Sequence, residues 1–103
     1  MDYQIIRVSL QVGPAAYPRP AVVVALLDQS HHRVLGISSK LDLYRRDLHF
    51  LIRDDHPDFK ATGLDVTSYV IGAPVFEVER AEILAHIGIL TGELADEFQK
   101  WIE

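Results

Sequence analysis

Cysteine is absent from the 103 residues, which excludes disulfides and thiolate metal sites and suits a reducing compartment. Long apolar runs are missing too. The longest, residues 21–27, is far too short to span a bilayer, and the N-terminus has no apolar stretch of signal-peptide type. These absences predict a soluble cytoplasmic protein with no membrane partner. An excess of positive charge is also lacking: fifteen acidic side chains face ten basic ones, for a net charge of -5. Tight non-specific binding to nucleic acid is therefore not expected, because phosphate neutralisation supplies most of such affinity. There are no internal repeats or low-complexity tracts.

What is present is a 49% hydrophobic composition, enough for one domain over residues 1–103 with one core. The charge is uneven. Residues 1–53 carry seven basic and four acidic side chains (+3), and residues 54–103 carry three basic and eleven acidic (-8). A polyanion would be drawn to the first half, while the acidic half reads as a solvated surface.

Residues 4–12 alternate from Ile6 onward, with Ile6, Val8, Leu10 and Val12 apolar, as in a half-buried strand stopped by Gly13-Pro14. Residues 21–27 are β-branched and apolar on both faces, which predicts the most buried strand. A polar turn over residues 28–32 leads to a partner strand over 33–39. Residues 40–47 show no clear period and read as loop. Further strands are predicted at 48–52, 65–71 and 75–78, separated by a charged excursion at 54–58 and a break at Gly72-Ala73-Pro74. Residues 79–84 suit a brief helix that turns Ile83 and Leu84 inward. Leu94, Phe98, Trp101 and Ile102 recur at helical spacing, so an amphipathic helix runs from Thr91 or Gly92 to Ile102, with Glu93 in its first turn. Phe98 and Trp101 share its apolar face and belong to the core or a dimer contact, not to a base-stacking platform. Many short strands closed by one helix predict a small barrel.

The chemistry is concentrated at Arg19-Pro20 and Ser38-Ser39. Proline donates no ladder hydrogen bond and favours a strand's first residue, which predicts Arg19 just outside the sheet, on the rim. Strand pairing would set it near Ser38, and a fixed cation beside a fixed hydroxyl suits a phosphate. Adjacent strand residues face opposite sides, so only one of the two serines can address such a site. Lys40, Arg45 and Arg46 follow and either track an RNA backbone or solvate a loop. Neighbouring His31 and His32 diverge on an extended chain, no metal-ligand spacing occurs, and a solvated turn is the simpler reading. Among the five histidines, His31 is the best placed to serve as a general base, because it lies in the hairpin loop.

Arg19-Pro20-Ala21 followed by valines, then Ile37-Ser38-Ser39, then residues 63–70 (Gly-Leu-Asp-Val-Thr-Ser-Tyr-Val), then Ile87-Gly88-Ile89-Leu90 before a final helix, resembles the PemK/MazF toxins of type II toxin-antitoxin systems. The resemblance covers residues 18 to 103 and rests on the order and spacing of these motifs. It implies an SH3-like barrel that forms a homodimer, cuts single-stranded RNA without metal or cofactor, and is silenced by a cognate antitoxin protein. Carried over residue by residue, it makes Arg19 catalytic, makes Ser38 a phosphate-orienting partner, and places Asp65 and Ser68 near an RNA groove. Thr67-Ser68 is also an ordinary strand pair, and that structural reading is preferred. The chain departs from the family at its N-terminus, which lacks the usual Gly-Asp, and in the loop at 13–18, which has no acidic residue. A catalytically inactive barrel acting as a protein- or nucleic-acid-binding module is the other reading.

Overall fold

The computed structural model describes the backbone of residues 2–12 and 15–103, and the side chains of 2–9 and 18–103. The described residues form seven antiparallel strands in one open sheet, followed by a single α-helix. The strands are β1 (Tyr3–Val12), β2 (Ala15–Leu26), β3 (His31–Ser38), β4 (His49–Ile52), β5 (Ser68–Ile71), β6 (Phe76–Glu79) and β7 (Ile83–Leu90), and the helix α1 is Gly92–Ile102. The sheet order is β4-β5-β3-β2-β1-β7, with β6 pairing β3 off this path.

Both faces of the sheet are covered, which is why β1 and β2 are apolar on both sides in their central stretches. Ile5, Val22, Leu35, Ile37, Val70 and Leu90 join Leu94 and Phe98 of α1 in one cluster. Ile6, Val8, Ala21, Val23 and Val34 form a second cluster on the opposite face, closed by Val78 of β6 with Phe76 and Ile83 packed against it. Phe98 is fully buried and meets Tyr3 edge-on at 4.9 Å and Phe50 at 5.3 Å. Burying such a ring contributes about 1.5–3 kcal/mol.

Helix α1 spans the predicted residues, with Leu94, Ala95 and Phe98 buried. Its N-cap residue Thr91 makes no side-chain cap bond. Asp58 supplies the acceptor instead: its Oδ2 takes the Leu94 N–H at 3.3 Å. Gly92 sits at φ 60, and a Cβ there would meet that carboxylate. His56 braces the same corner, accepting the Asp58 N–H on Nδ1 (3.0 Å) and meeting Glu97 through Nε2 (3.1 Å). The charged excursion is thus a helix anchor, not merely solvated.

Several expected boundaries move. β2 begins at Ala15 rather than residue 21, so Arg19 is not outside the sheet but inside a strand, opposite Val8. Within β2, only Ala21–Leu26 pairs with β3, so Pro18 and Pro20 occupy a stretch of β2 whose one strand neighbour among the described residues is β1, where a missing N–H is tolerated. Gly13-Pro14, expected to stop β1, lies outside the described residues. His31 and His32 are strand residues rather than turn, because Asp28 Oδ1 accepts the N–H groups of Ser30 (2.7 Å) and His31 (2.8 Å) and closes the turn early. Residues 40–47, read as loop, contain a short 3-10 turn at Leu41–Leu43. The helix predicted at 79–84 is a 3-10 turn at Arg80–Glu82 with a capping box, and Ile83 and Leu84 enter β7. Ile83 then pairs with Val8, while Leu84 is exposed rather than inward.

Candidate functional site

β3 changes partner along its length. It pairs with β2 as far as Ala21↔Gly36, and with β5 from Ile37↔Val70 onward. The sheet therefore forks, and the first residues past the fork are Arg19 and Pro20 on one branch and Ile37, Ser38 and Ser39 on the other. A cleft of about 300 Å³ lies in that fork, with Arg7 of β1, Lys40, the Gly63–Val66 segment, Ser68 and Ile87 completing its walls. Arg7, Arg19 and Lys40 make three cations, and Asp65 is the one lining carboxylate among the described residues. That excess of positive charge stands out in a chain of net charge -5.

The walls are held by short-range bonds. Ser38 Oγ accepts the Lys40 N–H at 3.2 Å, which leaves its hydroxyl proton to be directed elsewhere. The Tyr69 hydroxyl donates to the Lys40 carbonyl at 3.0 Å, so the turn after β3 is fixed at both ends. On the far wall, buried Thr62 donates to the Phe59 carbonyl (2.6 Å) and its Oγ1 accepts the Leu64 N–H (3.2 Å). Gly63 adopts φ 72, and a Cβ on it would collide with the Ile87 carbonyl. This close approach clamps the wall onto β7.

The sequence-predicted residues divide clearly. Arg19, Ser38, Lys40, Asp65 and Ser68, which span fifty positions of chain, meet in the cleft. Ser68 is 4% exposed and its hydroxyl donates to the Val66 carbonyl at 2.8 Å, so it shapes the wall. Arg45 and Arg46 are exposed in the loop before β4 and do not line the cleft. The Arg45 N–H donates to His49 Nδ1 at 2.9 Å, and the Arg45 carbonyl accepts from Leu48 and His49.

The expectation that His31 serves the site as a base does not hold, because the residue lies elsewhere. His31 lines a separate depression with Ser30, Glu79 and Arg80. Its Nδ1 is 3.0 Å from Asp28 Oδ1, which pushes the imidazole above its ordinary range. The Ser30 N–H, with the His31 ring and the Ser30 hydroxyl, holds the Asp28 carboxyl well below the usual carboxylate range. Among the described residues no histidine lines the cleft, so Asp65 is its candidate proton acceptor.

Arg7 escaped the sequence reading. Its signal was the one charged position in an otherwise apolar stretch, Ile5 to Val8, and the hairpin register sets it opposite Pro20.

A larger depression of about 720 Å³ lies among Val24, Leu35, Ile71 and Trp101. Its one arginine and one aspartate, Arg33 and Asp47, offset each other, so size does not make it an anion site. Among the described residues no group of three or more His, Cys, Asp or Glu side chains could hold a metal ion, and no helix is long and apolar enough to cross a membrane. No protein-family model matches the chain, and no curated protein matches it.

Proposed function

We propose that this chain is a toxin of the PemK/MazF type, an endoribonuclease that cleaves single-stranded RNA without a metal. On this reading the sheet and helix make a small SH3-like barrel, the protein works in the cytoplasm as a homodimer, and a cognate antitoxin protein silences it. The observation that supports the reading is the meeting of Arg19, Ser38, Lys40 and Asp65 in one cleft with a surplus of cations.

Each residue then has a role set by its chemistry. Arg19 offers a planar fork of donors to the phosphate, whose negative charge grows as the 2′-oxygen attacks. Ser38 turns its free hydroxyl proton toward a phosphate oxygen. Asp65 takes the 2′-hydroxyl proton, and water protonates the departing 5′-oxygen, leaving a 2′,3′-cyclic phosphate. Lys40 holds the backbone.

Incubation of purified protein with single-stranded RNA in a chelator tests this directly. Wild-type protein should cut, Arg19→Ala should lower turnover by roughly two to three orders of magnitude, and Ser38→Ala should lower it less. An RNA left intact by the wild type would refute the enzyme. A second reading, a catalytically inactive barrel that binds nucleic acid, is favoured by one observation: the cleft has cations to hold a phosphate but, among the described residues, no histidine to move protons.

A further inference from the structure

We propose that Arg7 is a phosphate-binding residue of the cleft, gripping a phosphodiester of single-stranded nucleic acid from the side opposite Arg19. The inference rests on the reading that the cleft takes a nucleic-acid backbone, and it deepens that reading. It comes from strand register, not from the motifs that drew attention to Arg19.

Directly opposed residues of an antiparallel pair share a face, and successive residues alternate. Ile5↔Val22 lies on the face of the helix-covered cluster, and Ile6↔Ala21 lies on the other. Arg7↔Pro20 therefore returns to the helix-covered side, whereas Val8↔Arg19 falls on the second. Three apolar wall residues lie on Arg7's side: Ile37, Leu64 and Ile87 are all part of the helix-covered cluster or packed against it. Ser38 alternates onto the side of Arg19. The two arginines thus approach the fork from opposite faces.

β7 adapts to this position. Its pairing with β1 passes from Ile5↔Gly88 to Ile6↔His86, and from Arg7↔Ala85 to Val8↔Ile83, leaving Ile87 and Leu84 as extra residues. Two bulges therefore bracket the Ile6 and Arg7 pairs. Bulges bend a strand and re-aim side chains, and they are over-represented beside active sites. Arg7 itself rises from a rigid base, since Ile5, Ile6 and Val8 are fully buried while its own side chain is exposed. Among the described residues neither Arg7 nor Lys40 has an ion pair, although the chain carries fifteen carboxylates. Cations gathered at one cleft repel one another, and a bound anion offsets that repulsion.

The test is fluorescence anisotropy with an uncleavable, 2′-O-methylated single-stranded RNA oligomer over a salt series. Wild type, Arg7→Gln and Arg7→Lys are compared after melting curves confirm equal folding. Arg7→Gln should weaken binding about tenfold, the size of one charge-assisted hydrogen bond. It should also flatten the plot of log affinity against log salt by roughly 0.7, as expected for one lost phosphate contact to a single strand. Arg7→Lys should keep the wild-type slope, because the charge remains. Equal affinity and slope for wild type and Arg7→Gln would overturn the assignment. If the wild type binds no oligomer, the nucleic-acid reading fails, and inorganic pyrophosphate followed by the Arg7 side-chain NMR signal decides the residue alone. A saturable shift there keeps Arg7 as an anion site, and no shift removes it.

Discussion

Adding one methyl group at Gly63 should deform the cleft, and adding the same group at Gly36 should not. Gly63 sits at φ 72, where a side chain costs about 1–2 kcal/mol. Its new Cβ would also strike the carbonyl of Ile87, a main-chain group of β7 that cannot rotate away. Forcing an atom into a packed site costs about 1–3 kcal/mol more. Gly63→Ala should therefore lose about 3 kcal/mol, and for a domain of this size the melting temperature should fall by roughly 12–24 °C. Gly36 pairs with Ala21 in the same sheet, and a Cβ there meets nothing within 4 Å. Gly36→Ala should gain about 0.5–1 kcal/mol by reducing the freedom of the unfolded chain. Urea unfolding of the two variants beside wild type gives both signs in one experiment. A Gly63→Ala protein as stable as wild type would refute the claim that the wall is clamped to β7.

Asp28 and His31 predict a pH dependence at the β2–β3 turn. His31 should titrate by NMR above the usual value of about 6.5, and Asp28→Asn should bring it back toward that value. The raised His31 contributes stability that is complete below about pH 6.5 and is lost as pH rises through its folded value. The depressed Asp28 contributes stability present above about pH 3.9 and lost as pH falls through its folded value. The turn should therefore be firmest between those limits. At the N-terminus of α1, Asp58→Ala removes the acceptor for the Leu94 N–H and should destabilise the protein by about 1 kcal/mol in urea. Glu97→Ala, whose His56 contact is largely exposed, should change stability by less than about 0.5 kcal/mol.

The helix and the central strands were legible because their apolar patterns are local: Leu94 and Phe98 recur at helical spacing, and residues 21–26 are apolar on both faces. β7 was hidden because Ala85, His86 and Gly88 break any alternation, and two bulges shift what remains. Its place comes from pairing with β1, which lies some eighty residues earlier. The early turn at Asp28 was obscured because two histidines look polar yet pair with β6. Of the seven candidate site residues, motif order picked out four that line the cleft, Arg19, Ser38, Asp65 and Ser68, and Lys40 was picked out by its charge. Arg7 could not, because its face is decided by hairpin register, and Arg45 and Arg46 read as equivalent to Lys40 until the chain turned away toward β4.

The central claim is that the fork between β2 and β3 is where a nucleic-acid backbone binds. Mapping backbone amide shifts by NMR on adding the uncleavable RNA oligomer tests it most directly. Perturbations should centre on Arg7, Arg19, residues 37–40 and residues 63–66. Perturbations confined to the depression around Leu35, Ile71 and Trp101, with the fork unmoved, would contradict it.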